Sequence, residues 1–216
     1  MSGIFISFEG PDGAGKTTAL NRIAPALDAL TSSEVVVSRE PGGSPIAEEI
    51  RKIILDIHGT EMDDRTEALL YAAARRQHLV DVILPTLEAN KILLSDRFVD
   101  SSIAYQGGGR EIGTREVKDI NDFAIDGHLP DLTIYFDITP EVGLARIRSD
   151  HQEAMDRLEK ASLDFHKRVH DTYLQLVKDN PQRIVSINAD QAPELVVKDA
   201  VDAIIKRFPD VFNGGK

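Results

Sequence analysis

Residues Gly10-Pro11-Asp12-Gly13-Ala14-Gly15-Lys16-Thr17 fit the pattern G-x-x-x-x-G-K-[ST] without a mismatch. They follow a short apolar run, Ile4 to Phe8, and precede a helical pattern that opens at Lys16. Glycines in such a loop let the backbone curl until consecutive N–H groups point inward at phosphate oxygens, and the following helix adds the positive end of its dipole. Lys16 is long enough to reach β- and γ-phosphates, and the Thr17 hydroxyl is a hard oxygen ligand for Mg²⁺. The plain alternative is a glycine turn before a helix with a surface lysine. The strand-loop-helix context favours a nucleoside triphosphate site spanning residues 10–18.

A second pair with chemical meaning is Asp96-Arg97, directly after the apolar run Ile92 to Leu94. A carboxylate ending a strand beside the phosphate loop occupies the position that holds Mg²⁺ directly or through water. Arg97 would then point across the carboxyl edge of the sheet, where open α/β folds bind ligands; a surface ion pair is the competing reading. Arg39 ends another strand candidate, Arg51 sits on the helix after it, and Tyr71 and Arg75 are one helical turn apart. A ring and a guanidinium on one face could stack on and hydrogen-bond a base, or could be a core tyrosine and a surface arginine. Arg146, Arg148 and Arg157 bracket the polar stretch Ser149 to Ala154, which reads either as a mobile lid or as a solvated charged helix. A guanine-reading N-K-x-D element is missing, since Asn188-Ala189-Asp190 has the wrong spacing and no lysine.

The elements that must position these residues alternate along the chain. Strand patterns fall at Ile4 to Phe8, Val35 to Val37, Ile92 to Leu94, Leu132 to Phe136 and Arg183 to Ile187. Helical periodicity fills the intervals: from Lys16 to Leu30 with a kink expected at Pro25, from Pro45 to Ile57, from Asp63 to Asn90 with a bend at Pro85, and from Glu116 to Ile125. Further helical patterns follow from Pro140, from Leu158 to Val177 and from Pro193 to Phe208. Short apolar strands separated by helices predict an α/β fold, a parallel sheet covered on both faces. The 216 residues read as one domain with a lid segment at about 147–157. The balance of 25 basic and 36 acidic residues, a net −11, disfavours a polynucleotide partner but not a small anion in an arginine-lined pocket. No cysteine is present, so disulfide, thiolate-metal and thiol chemistry are excluded. No apolar run approaches the roughly 18 residues of a membrane span and no export signal is visible, so a soluble cytoplasmic protein is expected.

Together these segments resemble the thymidylate kinase family. The resemblance rests on Phe8-Glu9-Gly10 through Thr18, Arg39-Glu40-Pro41-Gly42-Gly43-Ser44, Tyr71-Ala72-Ala73-Ala74-Arg75, Asp96-Arg97-Phe98 and Ser101-Ser102-Ile103-Ala104-Tyr105-Gln106-Gly107. It spans Ile4 to about Ile187, and the last two segments are far more specific to the family than the phosphate loop. The resemblance implies a three-layer P-loop NTPase fold with a five-stranded parallel sheet, a homodimer, and transfer of the ATP γ-phosphoryl group to dTMP. It also implies residue roles: Asp12 near the 3′-hydroxyl of dTMP; Arg39, Arg51 and Arg97 on the acceptor phosphate; Tyr71 stacked on thymine; Arg75 at its O4. Ser102 and Gln106 would meet the base edge, Tyr105 would crowd the 2′ position, and Asn188 to Gln191 would border adenine. In the bacterial subgroup whose phosphate loop lacks an arginine, as here, the lid supplies a catalytic one. Arg148 takes that place, beside Lys16 and Arg97, with Arg146 next. Another nucleotide kinase on the same core, or an ATP-binding module that transfers nothing, stays open at this level.

Overall fold

The computed structural model describes residues 3–56, 61–150, 158 and 161–212. Five strands, β1 (Ile4–Glu9), β2 (Val35–Arg39), β3 (Ile92–Asp96), β4 (Leu132–Asp137) and β5 (Ile184–Asn188), form one sheet in the order β2-β3-β1-β4-β5. Every pair is parallel. The helices are α1 (Lys16–Asp28), α2 (Pro45–Leu55), α3 (Asp64–His78), α4 (Leu84–Glu88), α5 (Val99–Ser102), α6 (Thr114–Ile125), α7 (Pro140–Asp150), α8 (Leu163–Asp179), α9 (Pro193–Arg207) and α10 (Pro209–Phe212), with π-helical turns at Leu79–Ile83 and Ile103–Gly109.

Alternate residues of each strand supply two cores, because successive side chains leave a strand on opposite faces. Ile6, Phe8, Leu94, Ile134 and Phe136 pack with Leu20, Ile23 and Leu27 of α1 and with Val196, Ala200 and Ile204 of α9. On the other face Phe5 and Leu93 meet Leu79, Ile83, Phe98 and Ile103, while Tyr135 stacks on Tyr173 of α8 at 5.0 Å between centroids. Ile23 and Leu27 are fully buried, each stabilising the fold by about 2 kcal/mol relative to exposure. Strands buried on both faces explain why β1, β3 and β4 read as nearly continuous apolar runs.

Three segments depart from simple periodicity. Helix α1 runs on through Pro25. The long pattern from Asp63 to Asn90 divides into α3, the π-helical turn and α4; the wider turn comes just before Pro85, whose ring and missing N–H disfavour the regular ladder there. Val99 to Gly109, which carries three consecutive glycines and no clear apolar period, is helical throughout as α5 and the second π-helical turn. Ile57 and most of the proposed lid, residues 151–157, lie outside the described residues.

Candidate active site

Strand β1 delivers the chain at Glu9 to the carboxyl edge of the sheet, where the phosphate loop turns into α1. The turn needs left-handed backbone: Gly13 and Gly15 have φ of 78° and 79°. Gly13 also lies against the Gly143 carbonyl, so any Cβ there would collide with α7. Lys16 is buried, and its Nζ donates to the carbonyls of Gly10 (3.0 Å) and Pro11 (2.9 Å). Burial, with Arg97 nearby, lowers the Lys16 ammonium from its ordinary range to about 8. Strand pairing sets Phe8 of β1 and Arg39 of β2 beside Asp96 at the end of β3. There the Thr17 hydroxyl donates to Asp96 Oδ2 at 2.7 Å.

Arg97 follows in an unusual conformation. Its φ is +73°, a region most side chains avoid. The surroundings over-determine it: Arg97 N–H donates to the Phe8 carbonyl at 2.9 Å, Ser95 Oγ donates to the Arg97 carbonyl at 2.8 Å, and the next N–H, of Phe98, donates to Glu9 Oε1 at 2.7 Å. Ser101 Oγ and the Tyr173 hydroxyl donate to Glu9 Oε2 at 2.5 and 2.9 Å. Burial, with Asp100 adding to it, raises the Glu9 carboxyl to about 7. The turn aims the Arg97 guanidinium back at the loop, where it donates to the Gly10 carbonyl (3.1 Å), Asp12 Oδ1 (2.5 Å) and the Tyr105 hydroxyl (3.3 Å). Burial alone would raise the Asp12 carboxyl, but Arg97 and then Lys16 hold it below the usual carboxylate range.

The loop, Arg97 and the ends of β2 and β3 surround a cavity of about 710 Å³. Asp12 through Thr18 form part of its wall, while Gly10 and Pro11 contribute the carbonyls that hold Lys16 and Arg97. At one end stand Arg39, Arg51, Tyr71, Arg75, Ser102, Tyr105 and Gln106. Arg75 is not a surface residue. It is 2% exposed, and its Nε donates to Glu40 Oε2 at 2.7 Å, its NH1 to Ser102 Oγ at 3.0 Å and to Asn121 Oδ1, and its NH2 to the Phe98 carbonyl at 3.1 Å. Arg39 is held by Glu48 through two bonds, at 3.0 and 3.2 Å, and Arg51 donates to the Pro41 carbonyl at 2.8 Å. The opposite end is walled by Arg22, Arg146, Ala189, Gln191, Val196 and Val197. Asn188 turns inward on its own segment, accepting the Asp190 N–H at 2.9 Å. Arg148 is exposed and does not reach the cavity wall here, whereas Arg146 does, donating to the Ala189 carbonyl at 3.1 Å.

Glu9, Glu40, Arg22 and Ser101 take part in the site although the sequence patterns assign none of them a role. Glu9 and Glu40 carried a usable signal, a lone carboxylate at or just past the end of an apolar strand. Arg22 and Ser101 carried none, because only the tertiary fold turns them toward the cavity.

The cavity wall carries seven basic side chains against three acidic ones, although the whole chain is acidic. A parallel sheet with a phosphate loop at its switch edge and a cationic cleft on both sides of that loop defines a P-loop NTPase fold with room for a triphosphate and a second ligand. The family model for thymidylate kinase matches residues 8–200. The thymidylate kinase of Enterococcus faecalis is 54% identical over 98% of this chain and 100% of its own length, and that of Lacticaseibacillus casei 55% identical over 99% and 100%. The crystal structure of thymidylate kinase from Ehrlichia chaffeensis superposes with a TM-score of 0.76 at 32% identity, covering 94% of this chain and 99% of the other. The chain belongs to the thymidylate kinase family.

Proposed function

We propose that this chain transfers the γ-phosphoryl group of ATP to the phosphate of dTMP, giving dTDP and ADP. One observation carries the reading: Lys16, Arg97 and the base-reading candidates Arg75 and Gln106 stand on the wall of a single cavity. An oxygen of the dTMP phosphate attacks the γ-phosphorus in line, and the bond to the β,γ-bridging oxygen breaks. The acceptor is already anionic at neutral pH, so no strong base is needed. The obstacle is repulsion between two anions. Lys16 meets the β- and γ-phosphates, and Arg97, with Arg39 and Arg51, meets the acceptor phosphate. Arg97 is already fixed by the loop, Ser101 and Tyr105, so little reorganisation is left for the reaction itself. Tyr71 stacks on the base, Asp12 meets the 3′-hydroxyl, Tyr105 fills the space a 2′-hydroxyl would need, and Ala189 and Gln191 border adenine.

Magnesium fits the donor set at the loop. Thr17 and Asp96 bring a hydroxyl and a carboxylate, both hard oxygens, within 2.7 Å of each other, as suits an ion that keeps waters and phosphate oxygens as its other ligands. When bound, it would neutralise charge on the β- and γ-phosphates. Arg148, on the last turn of α7 where the lid segment begins, is the arginine we assign to the transferring phosphoryl group on closure, with Arg146 serving the ATP side. Loss of turnover in Arg146→Ala with near-normal turnover in Arg148→Ala would reverse that order. We also read residues 1–216 as one domain acting in the cytoplasm as a homodimer. Support for the dimer is the exposure of Ile53 (54%), Leu69 (55%) and Phe123 (89%) on the neighbouring helices α2, α3 and α6.

The test is a coupled assay of ADP release over dTMP, dUMP, dCMP, UMP and AMP. The reading requires dTMP to be the best acceptor. ADP release that ignores the acceptor would refute it.

A further inference from the structure

Gln106 lies on the cavity wall, and an amide can present either its carbonyl or its NH₂ to a ligand. What stands behind it removes that freedom. Its Nε2 is 2.9 Å from Oε1 of Glu67, a residue of α3 with no exposed surface that is not on the cavity wall. Arg110 donates to both oxygens of the same carboxylate, from Nε at 3.4 Å and from NH2 at 3.1 Å. The Arg110 guanidinium in turn lies over the Phe165 ring, 5.2 Å from its centroid. A carboxylate paired with a guanidinium has no proton to give. The arm of Gln106 that meets it must therefore be NH₂, and the other arm, Oε1, is left as an acceptor for the cavity.

Arg75 supplies the opposite polarity. A guanidinium has five N–H donors and no acceptor, and the bonds to Glu40, Ser102, Asn121 and Phe98 leave one NH2 hydrogen unused among the described residues. The wall thus offers one fixed acceptor and one fixed donor. A pyrimidine carrying N3–H and a 4-keto oxygen matches both. A cytosine edge, with a bare N3 and a 4-amino group, mismatches both.

We propose that Glu67, held by Arg110, is the specificity-determining positioning residue of this site: it locks the Gln106 amide so that 4-keto pyrimidine nucleotides are accepted and 4-amino ones rejected. The proposal rests on the dTMP kinase reading and adds to it a residue that touches no substrate. A glutamine at position 67 can donate as well as accept, so Gln106 would be satisfied in either orientation and could turn its NH₂ toward a bare N3.

The experiment compares kcat/KM for dTMP and dCMP in the wild-type chain, in Glu67→Gln, and in Glu67→Gln combined with Arg110→Gln. The double variant leaves no unpaired cation behind the wall, which guards against simple misfolding. In either variant the dCMP-to-dTMP ratio of kcat/KM should rise tenfold or more. Parallel loss of both activities at an unchanged ratio is what a merely structural role gives, and it would overturn the proposal. A wild-type chain with no preference for dTMP over dCMP would instead contradict the dTMP kinase reading, so the two failures are distinguishable.

Discussion

At the scale of single residues, the site works by crowding charges that would rather be apart. Lys16 is held to about 8 by burial, with Arg97 next in effect. Phosphates arriving beside it must raise it again, so ATP binding above about pH 8 draws a proton from solution. Calorimetric titration of ATP at pH 8.5 in two buffers of different ionisation enthalpy should give different apparent heats, and equal heats would count against the assignment. Glu9 carries the mirror-image signature. Its folded value of about 7 lies above the ordinary 4.5, so the native state holds a proton that the unfolded chain has released. Its contribution is therefore most favourable below pH 4.5 and declines as pH rises toward 7, by roughly 3 kcal/mol in all. Denaturant unfolding of Glu9→Gln should show a flatter stability profile than the wild type across that window. Arg97→Ala should lower kcat a hundredfold or more, about 3 kcal/mol, with an unchanged far-ultraviolet circular dichroism spectrum. Of these residues, the loop and Asp96-Arg97 were legible because their motif spacing is tied to phosphate chemistry. Glu9 was only half legible: its place at the end of an apolar strand marks it, but nothing local distinguishes a carboxylate that braces a turn from one that meets solvent.

At the scale of elements, β1, the phosphate loop and α1 follow from local rules: an apolar run, glycines at positive φ, then an amphipathic helix. Helix α7 enters the site through a contact that no local rule announces. A Cβ added to Gly143 would stand 2.5 Å from the Asp12 carbonyl, too close for the helix and the loop to keep their places. Gly143→Ala should push α7 off the loop, costing about 1–3 kcal/mol of stability and weakening ATP binding; a variant that unfolds and binds ATP like the wild type would contradict the contact. The helical character of Val99 to Gly109 was likewise hidden, because glycines and polar side chains blur the period. Its side chains are nonetheless buried against α6 and α8, and tertiary packing overrides weak propensity there.

At the scale of the whole molecule, alternation of strand and helix was enough to call for a parallel sheet, but not for its order. Strand β3 lies between β2 and β1, which brings Arg39, Asp96 and Gly10 to one edge although they are distant in sequence. Net charge misleads at this scale, since an acidic chain surrounds a basic cavity and repels bulk anions while that cavity attracts them. The exposed apolar side chains of α2, α3 and α6 predict self-association. Sedimentation velocity should find a dimer, and Phe123→Asp should shift it toward monomer; an unaltered sedimentation coefficient would place the interface elsewhere. For the proposed transfer to occur, two nucleotides must occupy one cavity together, on either side of Lys16 and Arg97. Calorimetric titration of dTMP into the chain saturated with ADP and Mg²⁺ measures this most directly. One dTMP should bind per chain with ADP retained, and displacement of ADP by dTMP would contradict it.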